Sequence, residues 1–287
     1  MKPDVQAFFD KQTFTVTYVL MDPSSRACAI IDPVLDFDPA ASRTSTGSVE
    51  EVLQFVEDKG LEVTWILETH AHADHLSAAA YLKAKTGGKT ATGKWFTEVQ
   101  STFKEIFNLG DDFLANGEQF DRLLDDGDLL ELGAMSIRVI HTPGHTPACV
   151  TYVAGDAAFV GDTLFMPDYG TARADFPGAD AGTLYRSIQR IFELPASTRI
   201  FLCHDYKAPG RDEFAWETTV AEQMEQNIHV HKGVTEQEFV EFRNHRDAGL
   251  GMPKLILPSI QVNIRAGEMP PADDNGTVYL RLPLNVF

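Results

Sequence analysis

Apolar positions along this chain switch several times between a period of two and a period near three and a half. Thr13 to Leu20, T-F-T-V-T-Y-V-L, is β-branched and aromatic, which predicts a strand. R-A-C-A-I-I-D-P, Arg26 to Pro33, reads as its antiparallel partner, with D-P-S-S as the turn between them. The pattern then becomes helical, with Val49, Val52, Leu53 and Val56 on one face and Gly60 as the stop. Ser48 and Glu51 have the spacing of a capping box. Leu61 to Leu67 predicts a strand, and Ser77 to Lys85 a helix. The middle of the chain is strand-rich: R-V-I-H, C-V-T-Y-V and A-A-F-V are short apolar runs parted by T-P-G-H-T-P and A-G-D turns. Leu184, Ile188 and Ile191 mark a helix from Ala181 to Glu193, and Arg199 to Cys203 is another strand. Helical spacing resumes at Thr218, Thr235 and Glu238 form a second capping box, and the tail from Pro253 reads as proline-rich and irregular. Strands alternating with helices predict a layered α/β fold. No fixed-period repeat interrupts it, so residues 1–215 are expected to form the main unit and residues 216–287 an extension packed on it.

Composition changes this picture in three ways. The formal net charge of −18 repels nucleic acid and anionic membrane surfaces, so an anionic substrate needs a local positive group. No run of about 18 apolar residues appears, and the first ten residues lack a secretory apolar stretch, so cytoplasmic residence is the expectation. Cys28, Cys149 and Cys203 are widely spaced and read as small buried hydrophobes rather than a disulfide framework.

The chemistry concentrates in E-T-H-A-H-A-D-H, Glu68 to His75, where His70, His72, Asp74 and His75 fall between a strand end and a helix. Ligand sites of layered α/β proteins favour that position. His145 in H-T-P-G-H-T-P, Asp162 in F-V-G-D-T-L-F and His204 in F-L-C-H-D-Y also follow predicted strands. If those strands share a sheet, their ends converge, and imidazole with carboxylate is what a divalent cation such as zinc or iron binds. Glycines beside His145 and Asp162 permit the tight backbone such ligands need. His141, His229, His231 and His245, which stand alone, read as ordinary hydrogen-bonding histidines.

T-H-A-H-A-D-H, with T-P-G-H-T, V-G-D-T-L-F and C-H-D-Y downstream, resembles the metallo-β-lactamase superfamily. That resemblance implies an αββα sandwich of two mixed sheets with helices outside and metal at the sheet edge, here with a C-terminal extension. Two glutathione-using branches keep all seven donors: glyoxalase II, a dinuclear thioester hydrolase, and the ETHE-type persulfide dioxygenases, which use one iron. D-Y-G-T-A-R-A-D-F-P-G, Asp168 to Gly178, and T-P-G-H-T-P-A-C are similar to segments of the dioxygenases, as is L-P-S-I-Q-V-N-I-R-A-G-E-M-P-P, Leu257 to Pro271. Ala148, Ala172 and Ala174 depart from that branch, while Arg173, Asp175 and Phe176 stay in place.

The resemblance implies one Fe(II) per chain, held by His70, His145 and Asp162, with His72, Asp74, His75, His204 and Asp175 in support. Glutathione persulfide and O2 are the implied reactants, and a homodimer is common in the family. Arg173 is the candidate clamp for a glutathione carboxylate; its other reading is a salt bridge with Asp175. Tyr206 stands where glyoxalase II has a glutathione-holding tyrosine; its other reading is a packed aromatic. Asn263 and Arg265 are further candidates at the rim. Cys149 and Cys203 adjoin His145 and His204, and as buried strand cysteines they read as inert.

Overall fold

The computed structural model describes residues 2–286. The first sheet carries Asp4–Phe9 (β1), Val16–Met21 (β2) and Ala27–Ile31 (β3), joined as antiparallel neighbours. A small three-stranded sheet branches off with Val34–Asp38 (β4) and Arg43–Ser45 (β5), and Gly47–Asp58 (α1) returns the chain. Glu62–Leu67 (β6) then pairs parallel to β3. Leu76–Ser77 (β7) joins the small sheet, and Ala79–Thr86 (α2) follows. Lys89–Gly93 (β8), Phe96–Ile106 (α3) and Arg122–Leu124 (β9) complete the first sheet in the order β1-β2-β3-β6-β8-β9.

The second sheet runs in chain order: Leu129–Leu132 (β10), Met135–His141 (β11), Val150–Ala154 (β12), Ala157–Phe159 (β13), Arg199–Phe201 (β14) and Glu217–Thr219 (β15). Only β13 and β14 are parallel, because Ala181–Phe192 (α4) crosses between them. Val220–Gln226 (α5), Glu236–Asp247 (α6) and Ile256–Asn263 (α7) follow.

The two-residue side-chain period sorts each strand between layers. Tyr18, Leu20, Ala29 and Ile31 face inward and pack with Ile137, Val139, Tyr152 and Phe159 of the second sheet. The alternate residues Val19, Cys28 and Ile30 face outward onto Val49, Val52 and Val56 of α1 and Leu82 of α2. On the far side, Ile140, Val153, Ala158 and Ile200 meet Leu184 and Ile188 of α4 and Phe239 of α6. Helix, sheet, sheet, helix is the expected sandwich. No helix among the described residues is long and apolar enough to cross a membrane.

Two local expectations are corrected. Ser48 caps nothing: it lies inside α1, and its hydroxyl donates to Asp36 at 2.5 Å. The tail is not irregular throughout, since α7 forms there with Pro258 in its first turn, where the missing N–H costs no intrahelical bond. The box at Thr235 and Glu238 is present, and Thr219 with Glu222 forms another.

Candidate metal centre

All seven predicted donors converge at one edge of the sandwich. His70 follows β6, His145 lies between β11 and β12, Asp162 sits in a 3-10 turn after β13, and His204 follows β14. Gly161 has φ +53°, and a Cβ there would stand 2.6 Å from the Thr69 hydroxyl, so a side chain would push into the His70 loop. Gly144 has φ +136°, and its missing Cβ would stand 2.3 Å from the Leu184 backbone.

The donors sort into two sets. His70, His145 and Asp162 bring ligand atoms within 4.8 Å of one another, and so do His72, Asp74, His75 and His204. Asp162 lies between the sets. Its Oδ2 is 3.7 Å from His70 Nε2 and 3.6 Å from His145 Nε2, while its Oδ1 is 3.3 Å from His204 Nε2.

The far side of each ring decides which nitrogen faces inward. His145 Nδ1 donates to the Arg173 carbonyl oxygen at 2.8 Å. His70 Nδ1 lies 3.0 Å from the Thr69 hydroxyl, which itself donates to Asp32 at 2.8 Å. His204 Nδ1 contacts the Phe14 carbonyl at 3.2 Å. Those contacts leave Nε2 of each ring for a cation. His72 is reversed: its Nε2 sits between Asp32 at 2.9 Å and Glu68 at 3.0 Å, and Nδ1 faces inward.

Two buried ring nitrogens at the centre, His72 Nδ1 and His75 Nε2, have no hydrogen-bond partner, and His204 Nε2, Asp74 Oδ2 and Asp162 Oδ1 meet only one another, at 3.1 and 3.3 Å, without forming a hydrogen bond. Leaving such groups unpaired costs on the order of 1–3 kcal/mol each, and native proteins rarely do so. A bound cation removes that cost, so the residues present fit a metal. Without one, burial and the neighbouring imidazoles hold His70 well below the usual histidine range. Burial also works against a charged His72, but Asp32 and Glu68 outweigh it and hold that ring well above the range. Burial pushes Cys149 up to about 12 and Cys203 well above the ordinary thiol range, so both stay protonated and inert.

A cavity of about 230 Å³ opens over the first set, walled by Phe165, Tyr169, Phe176, Tyr206 and Pro253. Tyr206, 37% exposed, meets the metal side in a ring contact with His204. Burial and the Asp74 and Asp162 carboxylates keep its phenol protonated. A larger, mainly apolar cavity of about 400 Å³ shares the Asp74, Tyr206 and Pro253 wall. Arg173 lines the metal cavity, but its fork is occupied by Asp175, with contacts of 2.5 and 2.6 Å, and a third nitrogen donates to the Gly251 carbonyl.

Asn263 and Arg265 do not line this cavity. Asn263 is buried behind the metal loop, accepting from Ser77 N and donating to the His72 and His75 carbonyls, each at 2.8 Å. Arg265 lies over the Phe113 ring and lines a separate cavity with Arg281. Both face elsewhere because α7 buries its Asn263 side under the loop, and Arg265 follows beyond the helix end. His229 is buried with Nδ1 accepting from Thr171 N at 3.0 Å, and burial and nearby arginines pull it down to about 3. Sequence reasoning missed Asp32 and the supporting role of Glu68. The available signal was an aspartate closing a wholly apolar strand run, A-I-I-D-P.

A family model of the metallo-β-lactamase superfamily matches residues 12–204. With the sandwich and the edge cluster already in place, the chain belongs to that superfamily. It is 30% identical to the persulfide dioxygenase ETHE1 of Bos taurus, over 93% of this chain and 91% of that one. The crystal structure of ETHE1 from Myxococcus xanthus superposes with a TM-score of 0.72 at 29% identity, covering 92% of this chain and all of that one. Those likenesses bear out the resemblance to the persulfide dioxygenase branch. Identity is higher to proteins under other names: 54% to a probable metallo-hydrolase of Burkholderia pseudomallei, covering 99% of each chain. Glyoxylase B2 of Dictyostelium discoideum is 47% identical, covering 99% of this chain and 98% of that one.

Proposed function

We propose that the chain is a glutathione persulfide dioxygenase that takes one iron(II) at His70, His145 and Asp162. The observation that carries this reading is that two imidazoles and one carboxylate, His70, His145 and Asp162, come together and line one cavity. That donor set leaves positions open on one face and is typical of non-heme iron oxygenases. Iron supplies the one-electron chemistry that lets O2 react with a persulfide sulfur. The protein's own residues fix ligand direction: Arg173 through its carbonyl oxygen, and Thr69 with Asp32 through a hydroxyl relay. The balanced reaction is glutathione persulfide plus O2 plus water to glutathione, sulfite and two protons. We take residues 1–215 as the catalytic unit and residues 216–287 as its extension, working in the cytoplasm as a homodimer.

A second reading, a glyoxalase II-like thioester hydrolase with two metals, is favoured by the four-donor set beside the first and by the Dictyostelium relative's name. Metal analysis after anaerobic purification, with O2 uptake on glutathione persulfide, decides between them. About one iron per chain with uptake supports the dioxygenase. Two metals per chain, thioester hydrolysis and no uptake replace it with the hydrolase.

A further inference from the structure

Arg265 stands just past α7, half-buried, with its guanidinium carbon 4.6 Å from the centre of the Phe113 ring. Its Nε is buried without a hydrogen-bond partner, and the rest of the guanidinium makes no hydrogen bond or ion pair among the described residues. A guanidinium is all donor, and native proteins rarely leave such a group unmet away from water. Burial works against its charge and Arg281 adds to that, while Asp112 opposes both. Arg281 is firmly placed. It donates to the Phe107 and Asn108 carbonyls, and its backbone is tied to the Gln261 side chain on α7 at 2.7 and 2.9 Å.

Both arginines line a cavity of about 290 Å³ that shares no residue with either cavity at the metal. Its walls come from the loop after α3, the end of α7 and the tail. Asp112 and Asp273 stand there too, both exposed, and neither carboxylate has a hydrogen bond or ion pair among the described residues. Asp112 is near enough to support the charge of Arg265 without pairing with it. Unpaired charges of opposite sign therefore share one small space. A simple anion there would meet two carboxylates on a chain of net charge −18, and a simple cation would meet two arginines. A molecule with a carboxylate and an ammonium group on one carbon answers both. Leu109, Pro270 and Pro271 complete the wall, and the Gln261 amide is already spent on the tail and the Leu257 carbonyl. The remainder of such a ligand is thus best apolar.

We propose that this cavity binds a free α-amino acid with an apolar side chain, its carboxylate on Arg265 and its ammonium group on Asp112 and Asp273. Guanidinium and carboxylate pair in a two-pronged geometry. The site is separate from the metal centre, and the inference does not depend on which reaction runs there. The competing role of Arg265 is structural, a cation stacked on Phe113 with no ligand.

Calorimetric titration of the metal-loaded protein separates the two. The probes are L-leucine, isocaproate and isoamylamine, the last two being the leucine skeleton without its ammonium group or without its carboxylate. L-alanine, L-valine and L-methionine are titrated beside them. Leucine should bind once per chain, and each single-charge analogue at least about tenfold more weakly, ~1.4 kcal/mol. Arg265→Met, which keeps bulk over Phe113, should abolish leucine binding, and Asp112→Asn should narrow the gap between leucine and isocaproate. Failure of all four amino acids to bind overturns the site. Isocaproate or inorganic phosphate binding as tightly as leucine also overturns it, leaving a plain anion site. Leucine affinity unchanged in Arg265→Met overturns it too and places the amino acid elsewhere, on the metal ion for example. If Arg265→Met does not fold, Asp112→Asn decides alone, and an unchanged preference for leucine over isocaproate overturns the proposal.

Discussion

The two donor sets meet at Asp162, but they are backed differently. In the first set, His70 and His145 rest on neutral partners, the Thr69 hydroxyl and the Arg173 carbonyl. In the second, His204 likewise rests on a neutral partner, the Phe14 carbonyl, but His72 rests on two buried carboxylates, Asp32 and Glu68. A carboxylate behind an imidazole raises its basicity as a ligand, and a neutral partner does so less. The two sets also open on different cavities: His70, His145 and Asp162 line the smaller one together with Asp74, while Asp74 and His75 line the larger.

The strongest break of this contrast is at their shared residue. Asp162→Ala should lose essentially all bound metal, read by elemental analysis, together with activity by a factor of at least about a thousand. Retention of one full metal equivalent would mean that the sets are independent. His204→Ala is the sharper variant. On the one-iron reading it keeps about one iron per chain and loses activity by roughly ten- to a hundredfold. A fall from two metals to one would place a second ion in the four-donor set.

Asn263→Ala should weaken metal binding by roughly tenfold, because three backbone contacts of the ligand loop go unmet, and Asn263→Asp should restore only the Ser77 contact. Metal affinity from a competing chelator measures this; an unchanged affinity in Asn263→Ala would demote the residue to packing.

The smallest expected effect concerns His229. Its folded value lies at about 3, below the unfolded value near 6.5. The unfolded chain therefore binds the extra proton first as pH falls, and the stability supplied by the neutral ring is lost progressively from about pH 6.5 downward. His229→Gln should flatten that part of the melting temperature against pH between roughly pH 6.5 and 4. A curve parallel to the wild type's would assign the acid limb to other groups.

Much of this was legible in the chain. The seven donors, the strand ends that present them and the alternation that sorts Tyr18 from Val19 all follow from local spacing. Asp32 was not legible, because its partners Thr69 and His72 lie 37 and 40 positions away and only folding places them together. Arg173 was half legible: its neighbour Asp175 offered the salt bridge that forms, while its carbonyl's hold on His145 has no sequence signature. Asn263 and Arg265 were misplaced for the same reason: the helix that orients them is stabilised by tertiary packing, with Ile256, Ile260 and Ile264 in the same buried cluster as Phe96 and Phe103. Proline near its start suggested coil.

The Asn263 clasp has a consequence for the order of events in the cell. A chain is made from its N-terminus, and the clasp joins the ligand loop to a residue 191 positions later. His70, His72, Asp74 and His75 are thus synthesised early, yet their loop acquires its last three tethers only when most of the polypeptide has emerged. During that interval the growing chain offers a loose cluster of imidazoles and carboxylates to whatever cation is at hand. The closing of α7 over the loop ties that cluster down through the Ser77, His72 and His75 backbone, so the last part of the chain to be made completes the first part of the site.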